Sequence, residues 1–516
     1  MSEEQHKADH RGRPSNDEFR SFIADSWAPR STDQPAEAPV TPYAALRRAA
    51  VSAAFPGERL VIPAGGLKVR SNDCDYVFRP HSAFAHLTGL GSDREPGAVL
   101  VLEPRQDGTH ESILYFRPLA GRDTEEFFGN SRYGEFWVGA RPGLADIEAE
   151  LALSARHIDE LAEAMGKDVG STGIRIVRDG DRGLTAALDT VRQGATETGK
   201  TGKTGETGKT GETGETGETK AMRDHDHELA HFLSTLRLVK DEWEIGQMRD
   251  AVRATATGFD AVIADLPQAV ERGRGERWVE GIFGLHARHQ GNGVGYDSIC
   301  ASGDHANTLH WIKNTGDITS GDLLLLDAGV EVDSLFTADV TRTLPVSGRF
   351  TDAQRKVYDA VYAAQEAGIA AVKPGARFSD VHDAAIRVIA EHLHAWGLLP
   401  AGVDVETTLN KDNGNYHRRW MVHGTSHHLG LDVHDCALAL REEYLGAELK
   451  PGMILTVEPG LYFKADDLLV PEELRGIGVR IEDDMLVTVD GCENLSAAMP
   501  RTSTDVESWI ARVQGA

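Results

Sequence analysis

Four carboxylates stand where a soluble chain rarely puts one. Asp327 closes the apolar run Leu323-Leu-Leu-Leu326, and Glu458 closes Ile454-Leu-Thr-Val457. Asp339 lies inside Ala338-Asp-Val-Thr-Arg342, and Glu482 follows Val479-Arg-Ile481. A carboxylate buried without a partner is strongly destabilising, so each of these needs a cation or a proton. Any one alone reads as a salt bridge or a strand-end cap. All four share a region with the loop His423-Gly-Thr-Ser-His427-His428-Leu-Gly-Leu-Asp432-Val-His434-Asp435. Several imidazoles at such close spacing, amid glycine and apolar residues, point to metal ligation and proton transfer. His423 and His427 are four residues apart, so an extended strand there would aim both at one face.

Elements must hold these groups in place. Residues 221–516 read as one long α+β domain. Asp241 with Glu244 forms a capping box before Ile245, Met248, Val252, Ala256 and Phe259 at helical spacing. Thr351 with Gln354 repeats the device before Val357, Val361 and Ala364, and Lys373-Pro374-Gly375 stops that helix. Apolar, β-rich runs cover 323–332, 338–346, 453–458 and 478–487. Helices first and strands late predict helices covering one face of a largely antiparallel sheet.

The first part of the chain is of another kind. Residues 1–40, rich in Ser, Pro, Asp and Glu, read as a disordered arm. Residues 41–193 read as a mixed α/β accessory domain, with strands at 59–63, 98–102 and 112–116 and a helix over 147–164. Residues 194–220 repeat Thr-Gly-Lys or Thr-Gly-Glu, with no proline to support a collagen-like helix, and read as a flexible charged linker. At its edge Gly194-Ala-Thr-Glu-Thr-Gly199-Lys200-Thr201 matches a phosphate-binding P-loop letter for letter. A working P-loop needs a strand before it and a helix after it, and here only more repeat follows.

Composition narrows the function classes. The chain has 516 residues and a net charge of −27, which argues against nucleic acid as a partner. No apolar run approaches the length of a membrane span, and the polar N-terminal stretch is not a secretory signal. Cys74, Cys300, Cys436 and Cys492 are scattered, without a Cys-x-x-Cys pair, which fits a reducing compartment. The expected location is cytoplasmic.

Five motifs then fall in one order: Asp327-Ala-Gly, Asp339-Val-Thr-Arg-Thr, His423-Gly-Thr-Ser-His427, Glu458-Pro-Gly-Leu-Tyr462 and Arg475-Gly-Ile-Gly-Val-Arg480-Ile-Glu482. Together they resemble the pita-bread metallopeptidases, and among these aminopeptidase P, the Xaa-Pro aminopeptidases. The resemblance is strong over 236–498. It is weaker in the N-terminal region, where Arg79-Pro-His-Ser-Ala-Phe-Ala-His-Leu-Thr-Gly89 is similar to the family's accessory domain. It implies a pita-bread catalytic domain behind a smaller, creatinase-like α/β domain. It also implies two divalent ions, with Asp327 on one, Asp339 and Glu482 bridging both, and His427 and Glu458 completing the other. Oxygen-rich ligation with one imidazole suits Mn²⁺, with Co²⁺, Fe²⁺ and Zn²⁺ as other occupants. Glu458 would be the proton shuttle. His310, His423 and His434 would line the substrate pocket, and Arg480 and Tyr462 would brace the ligands. His305 is the rival for the place of His310, whereas His286, His289, His392 and His394 read as solvated positions on helices.

The substrates implied are peptides with proline second, and the assembly implied is a homodimer or homotetramer. A Xaa-Pro dipeptidase would use the same cage. A methionine aminopeptidase would be shorter, a creatinase-like enzyme would lack the ligands, and a pseudoenzyme binding module would have no need of them.

Overall fold

The computed structural model describes residues 16–200 and 217–515. The chain divides into two compact units, Met1–Leu229 and Ala230–Ala516.

The first unit is built on one five-stranded mixed sheet. Its strands run in the order Ser154–His157, His110–Phe116, Val99–Pro104, Arg59–Pro63, Ile174–Ile176, with antiparallel pairing in the centre and parallel pairing at both edges. The central strands are buried on both faces, and Val61, Val101, Ile113, Ile176 and Leu188 form one core cluster. That is why these strands read as continuous apolar runs rather than alternating ones. The helix expected over 147–164 is instead two helices, Leu144–Leu151 and Leu161–Gly166, with an edge strand between them. Ala152 adopts a left-handed conformation and ends the first helix there.

Two expectations for low-complexity segments need correction. Within the expected arm 1–40, residues 1–15 lie outside the described residues, but Asp17–Ala24 is a helix capped by Asn16. Phe19 lies edge-on to Phe128 at 5.3 Å, Trp27 edge-on to Phe127 at 5.7 Å, and Arg30 pairs with Glu135 at 2.6 Å. A few aromatic side chains anchor a stretch whose average composition is polar. Of the expected linker 194–220, residues 201–216 lie outside the described residues. Its two ends are helical, as parts of Arg182–Lys200 and Gly217–Leu236. The second helix is fixed by buried Asp226, which accepts from Arg178 at 2.7 Å and from Arg192 at 3.0 and 2.9 Å. Residues 194–200 therefore continue a helix where a P-loop requires a strand followed by a turn.

The second unit carries the chemistry. Both capping boxes form, and the helices Glu242–Arg272 and Asp352–Ala371 start where the sequence places them. With Gly275–Gln290, Phe378–Ala395 and Ser503–Gln514 they accompany a set of small sheets whose strands are all paired antiparallel. The two that matter here are Ile299–Ser302, Leu323–Ala328, Val340–Pro345 and Ile454–Val457, Asp483–Val487, Cys492–Asn494. They are tied together by Arg342, which is fully buried. Its guanidinium donates to Asp483 at 2.7 Å and to the carbonyls of Glu482 at 2.6 Å, Met499 at 2.9 Å and Pro500 at 2.9 Å. The Glu482 amide also donates to the Thr341 carbonyl at 3.0 Å.

Candidate metal centre

Strand register brings the carboxylates together. In the first sheet Asp327 pairs with Thr341, so Asp339 falls one residue before the partner strand and opposite Gly329. A Cβ on Gly329 would collide with the Ala338 carbonyl, which is why glycine follows Asp327-Ala at this approach. In the second sheet Val457 pairs with Asp483, so Glu458 and Glu482 face one another just past the ladder. The His423–His427 stretch is not a strand, contrary to the expected one-face geometry. It is a loop laid along Ile454–Val457, with the Thr456 amide donating to the His427 carbonyl at 2.9 Å and the His427 amide donating to Thr456 Oγ1 at 3.1 Å.

These elements close around one cavity of about 500 Å³, lined by Asp327, Asp339, His427, Glu458 and Glu482. Ligand atoms of Asp339, His427 and Glu482 all lie within 4.8 Å of one another. His427 Nε2 is 3.3 Å from Asp339 and 3.8 Å from Glu458. His310, His423, His434 and Arg480 line the same cavity. Tyr462 lines a neighbouring cleft, yet it reaches the site through its hydroxyl, 2.8 Å from His423 Nε2 and 3.1 Å from Arg480 Nη1. His305 lies outside the lining. It stacks on Trp311 at 3.9 Å and donates from Nδ1 to buried Glu276 at 2.7 Å.

Hydrogen bonding fixes the imidazoles. His427 Nδ1 faces the His428 carbonyl at 3.2 Å, and a carbonyl can only accept, so Nδ1 carries a proton and Nε2 points at the carboxylates. His423 Nδ1 donates to the Gly424 carbonyl at 2.6 Å, which leaves Nε2 to accept from Tyr462. His428, the residue after the expected ligand, is buried and stacked on Phe378 at 4.8 Å. Burial, with Lys240 nearby, pushes it down to about 3.

The electrostatics show what is missing from such a site. Burial raises Glu458 to about 7 against the opposing pull of His427 and Arg480. Burial and the neighbouring Asp339 and Glu458 raise Glu482 well above the usual range, and burial raises Asp327 despite Arg480 beside it. For His427 burial opposes the charge, but Asp339 and Glu458 outweigh it and hold the ring up to about 9. Burial that favours the protonated form of Asp327, Glu458 and Glu482, around an imidazole held protonated by its carboxylate neighbours, marks a place short of positive charge. Divalent cations would replace those protons, so the residues fit a metal.

Three further groups support the cage, of which only Thr341 falls within a motif quoted above. Tyr296 donates to Asp327 at 2.6 Å and also contacts Asp339. Thr341 donates to Glu482 at 2.7 Å and accepts from Arg480 Nε at 3.1 Å. Fully buried Asp484 accepts the Asp339 amide at 3.2 Å.

Comparison with known proteins agrees with this geometry. Residues 246–489 match the model of metallopeptidase family M24, and residues 44–176 match that of the aminopeptidase P N-terminal domain. Xaa-Pro aminopeptidase 2 of Streptomyces coelicolor is 49% identical over 498 residues, spanning 96% of this chain and 97% of that protein. Xaa-Pro aminopeptidase of Escherichia coli is 33% identical over 465 residues, spanning 90% and 96%. The structure of Pseudomonas aeruginosa aminopeptidase PepP superposes with a TM-score of 0.76 at 28% identity, covering 93% of this chain and all of that one. The chain belongs to metallopeptidase family M24, in its aminopeptidase P group. Its fold is accordingly the pita-bread catalytic domain with an aminopeptidase P N-terminal domain, and the family together with the candidate cluster of Asp339, His427 and Glu482 supports the use of divalent metal. Among the described residues no helix is long and apolar enough to cross a membrane.

Proposed function

We propose that this chain is a Xaa-Pro aminopeptidase that releases the first residue of peptides with proline in second position. The observation that carries the reading is the convergence of Asp339, His427 and Glu482 on one point of a cavity that Asp327 and Glu458 also line. Two divalent ions, Mn²⁺ by ligand chemistry, would be held by Asp327, Asp339, His427, Glu458 and Glu482. Bound there, they would supply polarisation of the scissile carbonyl and activation of water.

The chain's own residues do the rest. Glu458, beside His423 and His427, is placed to take a proton and hand it to the departing proline nitrogen, which cannot leave as an anion. His310, His423 and His434 line the wall where the substrate carbonyl would lie and where oxyanion charge would build up. Arg480 holds Asp327 and Tyr462 together and so fixes both wall and cage.

The cavity shares Gly424 and Ser426 with a second cleft of about 430 Å³, and Leu309 with a third of about 370 Å³. That room past the site favours peptides longer than two residues over a closed dipeptidase pocket. The scattered cysteines support a cytoplasmic enzyme and the acidity of the chain speaks against nucleic acid as a partner, while a homodimer or homotetramer follows from family likeness. Hydrolysis of Ala-Pro and Ala-Pro-Ala by metal-reconstituted protein tests the reading. Release of alanine from the tripeptide at the higher kcat/KM supports it, and turnover of the dipeptide alone would make the chain a dipeptidase.

A further inference from the structure

His434 lines the cavity, yet its side chain makes no hydrogen bond among the described residues, and its ring only meets His427 edge-on at 4.4 Å. It stands in a stretch with neither helix nor strand. Its place must therefore be set by what holds its neighbours.

The next residue is held firmly. Asp435 is buried, and its amide donates to the His428 carbonyl at 2.9 Å, which closes the loop carrying both His427 and His434. One carboxylate oxygen accepts from Arg237 Nε at 3.0 Å and from the Cys436 amide at 2.8 Å, and Lys240 Nζ lies 3.5 Å from the other. Burial would raise this carboxyl, but Arg237 and Lys240 outweigh it and hold it down to about 2. Both cations belong to a short segment ahead of the helix Glu242–Arg272, and that segment grips the loop again beyond Asp435. Ser234 Oγ accepts the Leu438 amide at 3.2 Å, and Thr235 donates to Glu443 at 2.7 Å. The segment is itself fixed, since the Lys240 amide donates to the Gly452 carbonyl at 2.9 Å and Val239 pairs with Met453. Gly430 lets the clasp close: a Cβ there would lie 2.4 Å from Asp435 Oδ2 and 2.9 Å from Lys240 Cε. Apolar side chains of similar volume often hold a buried seam as firmly as charges do, so stability alone does not account for three buried ionic groups.

We propose that Lys240, acting through Asp435, is a positioning residue for His434: with Arg237 it holds the loop so that the His434 ring stands at the substrate carbonyl. The proposal rests on the aminopeptidase reading, in which His434 meets oxyanion charge that exists only in the transition state. His427 has a second hold, because Thr456 bonds both its amide and its carbonyl, so the ligand stays in place when the clasp is loosened.

The test uses full-length, metal-loaded protein and Ala-Pro-Ala. Lys240→Met keeps the bulk and the Arg237–Asp435 pair but removes one grip. It should lower kcat about tenfold while KM and metal content stay within about twofold of wild type. In a His434→Ala background the same substitution should change kcat by less than about twofold, because the two residues act as one unit. Equal losses in the two backgrounds, or a loss of metal that parallels the fall in kcat, would overturn the proposal. Should Lys240→Met fail to fold, Arg237→Met and Arg237→Lys replace it, the first expected to behave as above and the second to stay near wild type; two equal losses would overturn the proposal as well. Hydrogen–deuterium exchange without substrate reads the clasp independently of turnover. Amides of 428–438 should exchange faster in the variant and those of 454–457 should not, and unchanged exchange at 428–438 would sink the idea. A wild type that cleaves no Xaa-Pro peptide would remove the proposed function, while the exchange comparison would still decide whether the clasp holds the loop.

Discussion

Replacing Glu276 by glutamine exchanges one carboxylate oxygen for an NH₂ group and changes nothing in size. The carboxylate is fully buried and takes four hydrogen bonds. One oxygen accepts from the Ser302 amide at 2.9 Å and from His305 Nδ1 at 2.7 Å. The other accepts from Trp311 Nε1 at 2.9 Å and from the Gly316 amide at 2.5 Å. All four donors lie on the segment 302–316, which presents Leu309, His310 and Ile312 to the cavity. In the variant the NH₂ group must face one pair of donors. The less costly choice is the His305 side, where the imidazole can change tautomer and accept. The Ser302 amide is then left buried without a partner, at about 1–3 kcal/mol. The two remaining bonds lose their charge assistance, at about 1 kcal/mol each. Glu276→Gln should therefore cost about 3–5 kcal/mol, a fall in Tm of roughly 5–10 °C for a unit of this size. A loosened 302–316 segment would misplace His310, and kcat/KM should drop by about ten- to a hundredfold. Metal content should not change, because none of the proposed ligands is on that segment. Differential scanning calorimetry, kcat/KM on Ala-Pro-Ala and metal analysis make the comparison. A variant as stable and active as wild type would refute the account, and so would one that loses metal before it loses stability.

Other consequences are simpler to state. Glu458→Gln should fold normally and lower kcat roughly a hundredfold or more, by removing a ligand charge and the proton shuttle together; retained turnover would show the shuttle to be elsewhere. His310→Ala should reduce kcat/KM while metal content stays at the wild-type level, which a metal assay beside the kinetics will decide. Metal affinity should tighten as pH rises. Glu458, held up to about 7, and His427, held up to about 9, must each give up a proton to the metal, so protonation competes with binding below those values. Titrations in buffers of different ionisation enthalpy should show proton release on binding near pH 7, and a flat affinity from pH 6 to 9 would refute the proposed ligand set.

The proposed ligand positions stand out in the sequence because each breaks a local rule. Asp327 and Glu458 end apolar strands, and Asp339 and Glu482 interrupt them, so the cost of burying them is visible without a structure. Of the groups that hold them, Arg480 and Tyr462 stand in the quoted motifs, but Tyr296 and Glu276 were not legible. Tyr296 is 31 residues from Asp327 and 43 from Asp339, and Glu276 meets its partners 26 to 40 residues on. Those residues obey local expectation, and only the register of Ile299–Ser302 against Leu323–Ala328 brings Tyr296 to its carboxylates. The helix expected over 147–164 failed for a related reason. Ser154–His157 is an edge strand that pairs in parallel with His110–Phe116, a long-range contact that overrides a helical pattern. The arm and the linker ends were misread because composition averages over the few apolar or charged anchors that fix them.

The same logic explains how the cage can exist before a cation enters it. Asp327, Asp339, Glu458 and Glu482 repel one another in a poorly solvated pocket, and that repulsion alone would push the two sheets apart. Arg342 opposes this from behind, bonding Asp483 and the Glu482 carbonyl across the seam from the strand that follows Asp339. Tyr296, Thr341 and Arg480 occupy the carboxylate oxygens from the side, and His427 shares its Nε2 proton with Asp339 from the front. Each contact is made to an oxygen that a cation could use or share, so the site is held in shape by protons and donors standing where metal charge would act. Loading metal then asks for exchange of those protons rather than assembly of the ligands. That is why acid should weaken metal binding while the fold of the cage persists.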